Sequence, residues 1–478
     1  MSILRVPRAC LAVLVAALVV VGVFAGPAAF AAGNANSGDG TMTVTPATVV
    51  AGSTANRLVF TFTATTGKFT TGSLVTLTVP QGWSQPSTNS SAPGYTTVSG
   101  CSAGTPSIAG AGPWTITVSQ SCDAGTALTL TYGANSQVVA PTTVQTATFT
   151  AGSRISNSGS AVPLTAGSPQ VTVTAGAASK LAFTTPPPST GTAGVALADF
   201  QVSVQDAFGN TVTTATDPIS LTIGSGPSGG TFSSAPSTYT NVAASSGVAR
   251  FTGVALGLAG TYTLTAVRTG LASATSPSIV VSAGAGSKLA FVQGPSDGFA
   301  GTALSPAITV QVLDQSGNAV ATAGIAVTLA PSAGVISSGA SATTDSTGKA
   351  TFGNVVINTT ALGLTLTASA TGLTSTAPST TFNVTVAVSS GAALTNTPSD
   401  GSGSGVKSVA YYYCTGYSGT CTSANWTPIG SSTSAATNYQ VTWTSTPAAG
   451  AYRVVATSTD NVTNTSQPTT STPVTVTS

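Results

Sequence analysis

"SKLAF" stands at 179–183 and again, unchanged, at 287–291, and in each case "VSVQDAFGN" (202–210) or its counterpart "VQVLDQSGN" (310–318) follows. Lys180 and Lys288 lie 108 positions apart, and so do Asn210 and Asn318. Within the pentapeptide the polar Lys alternates with Leu181 and Phe183, or with Leu289 and Phe291. Period two belongs to a strand, with the apolar pair turned inward and the lysine outward. Later landmarks drift: Gly247 of "GVARF" answers Gly348 of "GKATF" at a spacing of 101, and Gly270 answers Gly372 at 102. The first copy therefore carries an insertion, for which "GSGPSGGTFSSAPSTYTN" (224–241) reads as a loop. What repeats is a module of about 100 residues, the size of one immunoglobulin-like sandwich.

The same alternation extends outside the repeat. "RLVFTF" puts Leu58, Phe60 and Phe62 on one face; Val75, Leu77 and Val79 share another, as do Trp114, Ile116 and Val118, and Leu128, Leu130 and Tyr132. This is the pattern of half-buried antiparallel sheets. Gly, Ser, Asn and Pro turns separate the runs at the short spacing of an all-β sandwich, and Thr occupies the outward positions because its branched side chain suits the pleat.

Composition closes off several function classes. Only 5% of the 478 residues are charged, against about 25% in ordinary soluble domains. The 41% hydrophobic content nevertheless supplies a core that disordered chains lack. Arg5 and Arg8, the apolar run Cys10–Phe24 and Ala29-Phe30-Ala31 make the first 31 residues read as a secretory signal peptide. Without them ten basic residues face ten acidic ones, all Asp, and the basic residues are scattered singly from Arg57 to Arg453. No nucleic-acid partner follows from such a distribution, and no membrane insertion is expected after cleavage. The chain has no His and no Glu, so almost nothing in it titrates between pH 5 and 8.

Four cysteines remain, in two local pairs: Cys101 with Cys122, and Cys414 with Cys421. On an exported chain these read as two disulfides, each closing a short loop worth about 2–4 kcal/mol. The competing metal reading has no His to complete a mixed site and no C-x2-C spacing; no metal or cofactor is expected.

The order "SKLAF", "VxVxDxxGN", "TTDSTGKATF" (343–352) and "LTLTASATGL" (364–373) resembles the bacterial immunoglobulin-like repeats of large surface and adhesin-like proteins, including the invasin and intimin type, over about 175–388. The stretches "GSGVKSVAYYYC" and "YQVTWTSTPAAGAYRVVATSTDNVTN" resemble a different bacterial immunoglobulin-like repeat. The expected fold is all-β, as tandem immunoglobulin-like β-sandwich modules: an N-terminal module at 32–174, repeats at 175–283 and 284–388, and a C-terminal module at 389–478. The resemblance implies a secreted or cell-surface spacer or adhesive platform, a monomeric and elongated chain with a surface glycan or protein as its ligand.

Catalysis is not expected. The lack of His removes Ser-His-Asp and Cys-His arrangements, and no two Asp lie within a few residues of each other except Asp199 and Asp206, which straddle a predicted strand; a glycosidase-type carboxylate pair could be assembled only from distant segments. Asp206 and Asp314 end a strand and open a turn, where the carboxylate can bond the backbone two residues on and a following Gly can adopt positive φ; Asp345 and Asp460 are read as the same kind of turn. Calcium is the alternative reading, but one Asp per turn is a thin set for a hard cation. The other candidate site is aromatic. Tyr411 and Tyr413 share an inward face with Val409, which leaves Tyr412, Tyr417 and Trp426 as the exposed set able to stack on a sugar and so as candidate ligand-binding residues.

Overall fold

The computed structural model describes residues 38–65, 69–155, 157–398, 404–466, 468 and 471–477; the expected signal peptide lies outside them. Among the described residues there is no α-helix, and only three single-turn 3-10 segments interrupt the strands and turns, at Pro236–Thr238, Ser423–Asn425 and Ala435–Thr437. The molecule is all-β. It divides into two compact units, Met1–Ala178 with Gln205–Val212, and Ser179–Val204 with Thr213–Ser478.

The first unit is a sandwich of two five-stranded sheets. One runs Thr41–Thr45, Leu58–Thr63, Ala127–Tyr132, Gly94–Ser99, Pro86–Ser87; the other runs Val162–Pro163, Thr150–Arg154, Phe69–Val79, Trp114–Cys122, Ser107–Ala109. The alternating faces meet as the period demands, for Leu58, Phe60, Phe62, Leu128, Leu130 and Tyr132 join Val75, Leu77, Val79, Ile116 and Val118 in one buried cluster. Fully burying each such side chain is worth about 1.5–3 kcal/mol. Trp114 departs from the expectation. It is half-buried at the rim of this core, because it is the first residue of its strand and pairs with the last residue of the neighbouring one, Val79.

In the second unit each "SKLAF" opens a strand, Lys180–Thr185 or Lys288–Gln293, which edges a three-stranded sheet with Phe200–Gln205 and Val248–Phe251, or with Ile308–Leu313 and Lys349–Phe352. Leu181 and Leu289 are buried and their lysines half-exposed. The first copy completes its core with a run of rings: Phe183 lies 6.2 Å from Phe200, which stacks on Phe251 at 5.4 Å. The insertion is a loop with one 3-10 turn, closed by Phe232 stacked on Tyr239 at 4.0 Å.

Strand Phe382–Val388 serves two neighbours in succession. Phe382 and Val384 pair with Ala361–Leu364, and Val386, Ala387 and Val388 pair in parallel with Thr472–Val476. That sheet continues through Gly450–Asp460 and Val406–Thr415 to Thr427–Ser432, while Ala392–Leu394 and Val441–Trp443 form a separate two-stranded sheet. Trp443, Tyr452, Val474 and Val476 fill one end of the C-terminal core; Val409, Tyr411 and Tyr439 fill the other. A parallel pair recurs along the whole chain: Thr48–Val50 with Gln170–Thr174, Thr190–Thr192 with Ile279–Ser282, and Gly298–Phe299 with Phe382–Val388.

Candidate functional site

Both cysteine pairs are bonded, with Cα separations of 4.9 Å for Cys101–Cys122 and 5.8 Å for Cys414–Cys421. The second loop leaves the end of strand Val406–Thr415 and is held from beneath by Arg453, which stands opposite Cys414 in the neighbouring strand. Its guanidinium donates from Nε to Gly416 O at 3.1 Å, from Nη1 to Gly419 O at 3.0 Å and from Nη2 to Ser418 O at 3.1 Å. A planar fork with five donors suits three carbonyls of one turn. The sequence reading passed over this residue, since an isolated Arg in a strand carries no spacing signal.

The aromatic candidates are brought together only in part. Tyr412 stacks on Trp426, with centroids 4.9 Å apart and planes 28° from parallel. Tyr417 is held elsewhere: its hydroxyl meets Thr475 Oγ1, which shares a further bond of 2.8 Å with Thr385 Oγ1. All three are half-buried and not the open platform the alternation suggested. The 3-10 turn Ser423–Asn425 delivers the indole onto the strand, so each ring of the pair covers a face of the other. Trp426 Nε1 is buried without a hydrogen-bond partner among the described residues. Tyr411 is buried, as expected, and so is Trp443, against which Tyr413 packs at 5.3 Å. A cleft of about 720 Å³ opens beside the same core, lined by Leu394, Tyr411, Val454 and Val474 with Asn396 and Ser458; none of the three candidate aromatics lines it.

The aspartate turns are built alike. In the first, Asp206 Oδ1 accepts from the N–H groups of Phe208 and Asn210, and Oδ2 from Gly176 N and Asn210 Nδ2, all at 2.9 Å. In the second, Asp314 Oδ1 accepts from Asn318 N, and Oδ2 from Gly284 N and Asn318 Nδ2, all at 2.8 Å. Both residues are almost fully buried, at 1% and 2% exposure. Burial alone would raise their pKa. The bonds from the Asn side chains and the backbone N–H groups outweigh it and hold both carboxyls below the usual range. With two donors on each oxygen of Asp206, its lone pairs are committed to the protein and not to a cation. Gly209 and Gly317 both sit at φ 93°, the left-handed geometry the fourth position of the turn requires.

Comparison with known proteins gives the family description SMCHD1 Ig-like domain 6 for residues 284–390, so that segment is an immunoglobulin-like domain. No curated protein matches the chain. Among solved structures, the Escherichia coli adhesin FdeC is 18% identical over 74% of this chain and 99% of its own, with a TM-score of 0.32. Drosophila OTK extracellular domains 3–5 are 12% identical over 63% and 99%, at 0.21. The Yersinia pseudotuberculosis adhesin InvE is 13% identical over 51% and 60%, at 0.19.

Proposed function

We propose that the protein is an exported bacterial surface protein of the invasin and intimin type, whose immunoglobulin-like modules act as a spacer and adhesive platform and not as a catalyst. The observation that carries this reading is the pair of disulfides, Cys101–Cys122 and Cys414–Cys421, in a chain that repeats one module and its joint. Disulfides persist in oxidising compartments, and serially repeated sandwiches provide reach and surface. The monomeric, elongated chain expected from the sequence, with a glycan or protein ligand, belongs to the same reading. Antibody labelling of intact producing cells, with fractionation of the culture, tests the location; protein confined to the cytosol with all its thiols open to alkylation refutes it.

A second reading, a carbohydrate-binding C-terminal module, is favoured by the Tyr412–Trp426 stack, two half-buried rings beside the edge strand Thr427–Ser432. The full mature chain is passed over immobilised polysaccharides beside Trp426→Ala. Retention lost in the variant with an unchanged melting temperature supports sugar binding. Retention that survives the substitution, or no retention on any polysaccharide, removes it.

A further inference from the structure

The asparagine closing each of the first two aspartate turns reaches beyond its own turn. Asn210 Nδ2 donates to Thr142 O at 2.7 Å, and its Oδ1 accepts from Val144 N at 3.1 Å, all within the first unit. Asn318 repeats the arrangement within the second unit, donating to Gly257 O at 3.0 Å and accepting from Ala259 N at 2.8 Å. In both cases the carbonyl and the N–H lie two residues apart, so the side-chain amide takes the place of a paired strand. In both, the aspartate also captures the amide of a glycine thirty positions earlier, Gly176 of "TAGAA" or Gly284 of "SAGAG". The third residue of the turn completes the contact. The Phe208 ring fills the space where a Cβ of Gly52 would sit, at 2.3 Å, and Ser316 Oγ lies 3.0 Å from that of Gly194.

The chain holds its own controls. Asp345 opens the same backbone turn, with Asp345 N donating to Lys349 O at 3.0 Å and Gly348 N to Asp345 O at 3.0 Å, although Lys349 stands in the asparagine's place. The asparagine is therefore not what makes the turn. Asn464 closes a fourth copy, where its amide donates to Asp460 Oδ2 at 2.9 Å and the turn is anchored instead by Asn461 Nδ2 on Ser404 O at 2.7 Å.

We infer that the Asp-x-x-Gly-Asn turn at 314–318 is a joint lock: the aspartate pins the preceding glycine joint while the asparagine pins a loop of the repeat before it, with no metal involved. In the second unit the lock fixes repeat 284–388 against the loop at 257–259 of the repeat before it. The angle between these consecutive modules is then set by side-chain hydrogen bonds and not by the stiffness of "SAGAG". The lock does not rest on the proposed surface role, since it concerns only how one module holds another.

The test uses the full mature chain carrying nitroxides at Thr269→Cys and Thr371→Cys, exposed positions in corresponding turns of the two repeats, with the native disulfides intact. Dipolar electron paramagnetic resonance reads the distribution of distances between the labels. Asn318→Ala is expected to widen that distribution at least twofold without moving the melting temperature by more than a few degrees. Asn318→Lys, which copies the natural turn at Lys349, should do the same and guards against a variant that fails to fold. Calcium and chelator are expected to leave the native distribution unchanged. An unaltered width in both variants, or a native distribution that narrows with calcium, overturns the inference.

Discussion

Replacing Thr463 by glycine should stabilise the C-terminal module. Thr463 occupies the fourth position of the turn that Asp460 opens, with φ 75°, where the other three copies carry Gly209, Gly317 and Gly348 at φ 93°, 93° and 77°. A residue with a Cβ in this left-handed region costs about 1–2 kcal/mol, and a β-branched one has no compensating freedom. Glycine removes that strain but gains disorder when unfolded, which returns about 0.5–1 kcal/mol. Among the described residues, the side-chain bond lost is the one from Thr463 Oγ1 to the adjacent Val462 O at the surface. The net gain is about 0.5–1 kcal/mol, which slows exchange through full opening about two- to fivefold. Native-state hydrogen exchange of the amides in strand Gly450–Asp460 reads this in the intact chain. The mirror substitution, Gly317→Thr, should speed exchange in strand Ile308–Leu313 by a similar factor, because nothing lies within 4 Å of its Cβ position and only the backbone resists. Faster or unchanged exchange in Thr463→Gly, or a harmless Gly317→Thr, would refute the reasoning.

Acid should leave the fold alone until the turn carboxyls protonate. Asp206 and Asp314 have folded pKa values below the unfolded value, near 3.9 for Asp, so their contribution is fully present above about pH 4 and is lost as pH falls through the depressed values. The melting temperature should be flat from pH 7 to about 4 and fall below that, and Asp314→Asn should flatten the fall; a decline beginning near pH 6 contradicts it. Alkylation of the mature protein without reductant should add no mass, whereas two or more adducts would contradict the disulfide pairing of Cys101, Cys122, Cys414 and Cys421.

The sandwich cores were legible because strand burial has a period of two, which Leu58, Phe60 and Phe62 or Leu128, Leu130 and Tyr132 display without interruption. The structural role of the aspartates was legible too, since an Asx bond spans two residues and its signature sits in one short string. Trp114 misled because alternation says which face a residue takes and not how close it lies to the rim. Tyr412 and Trp426 are fourteen positions apart, and no local pattern announces that a 3-10 turn folds one ring over the other. The partners of Asn210 and Asn318 lie about sixty residues upstream. In the sequence these asparagines served only as landmarks of the 108-residue spacing, because a contact about sixty residues away leaves no local pattern.

The recurring parallel pairs bear on what happens when the chain is pulled. In the C-terminal module, tension from the preceding repeat enters at the start of Phe382–Val388, and a pull applied after Val476 leaves from the strand beside it. Because the two strands run parallel, the opposing forces lie along their length and load every bond between them at once, where an antiparallel hairpin pulled at its open end would unzip one bond at a time. The pairs of Thr48–Val50 with Gln170–Thr174 and of Thr190–Thr192 with Ile279–Ser282 place their modules under the same shear. Each module so pulled meets the load with a short parallel pair.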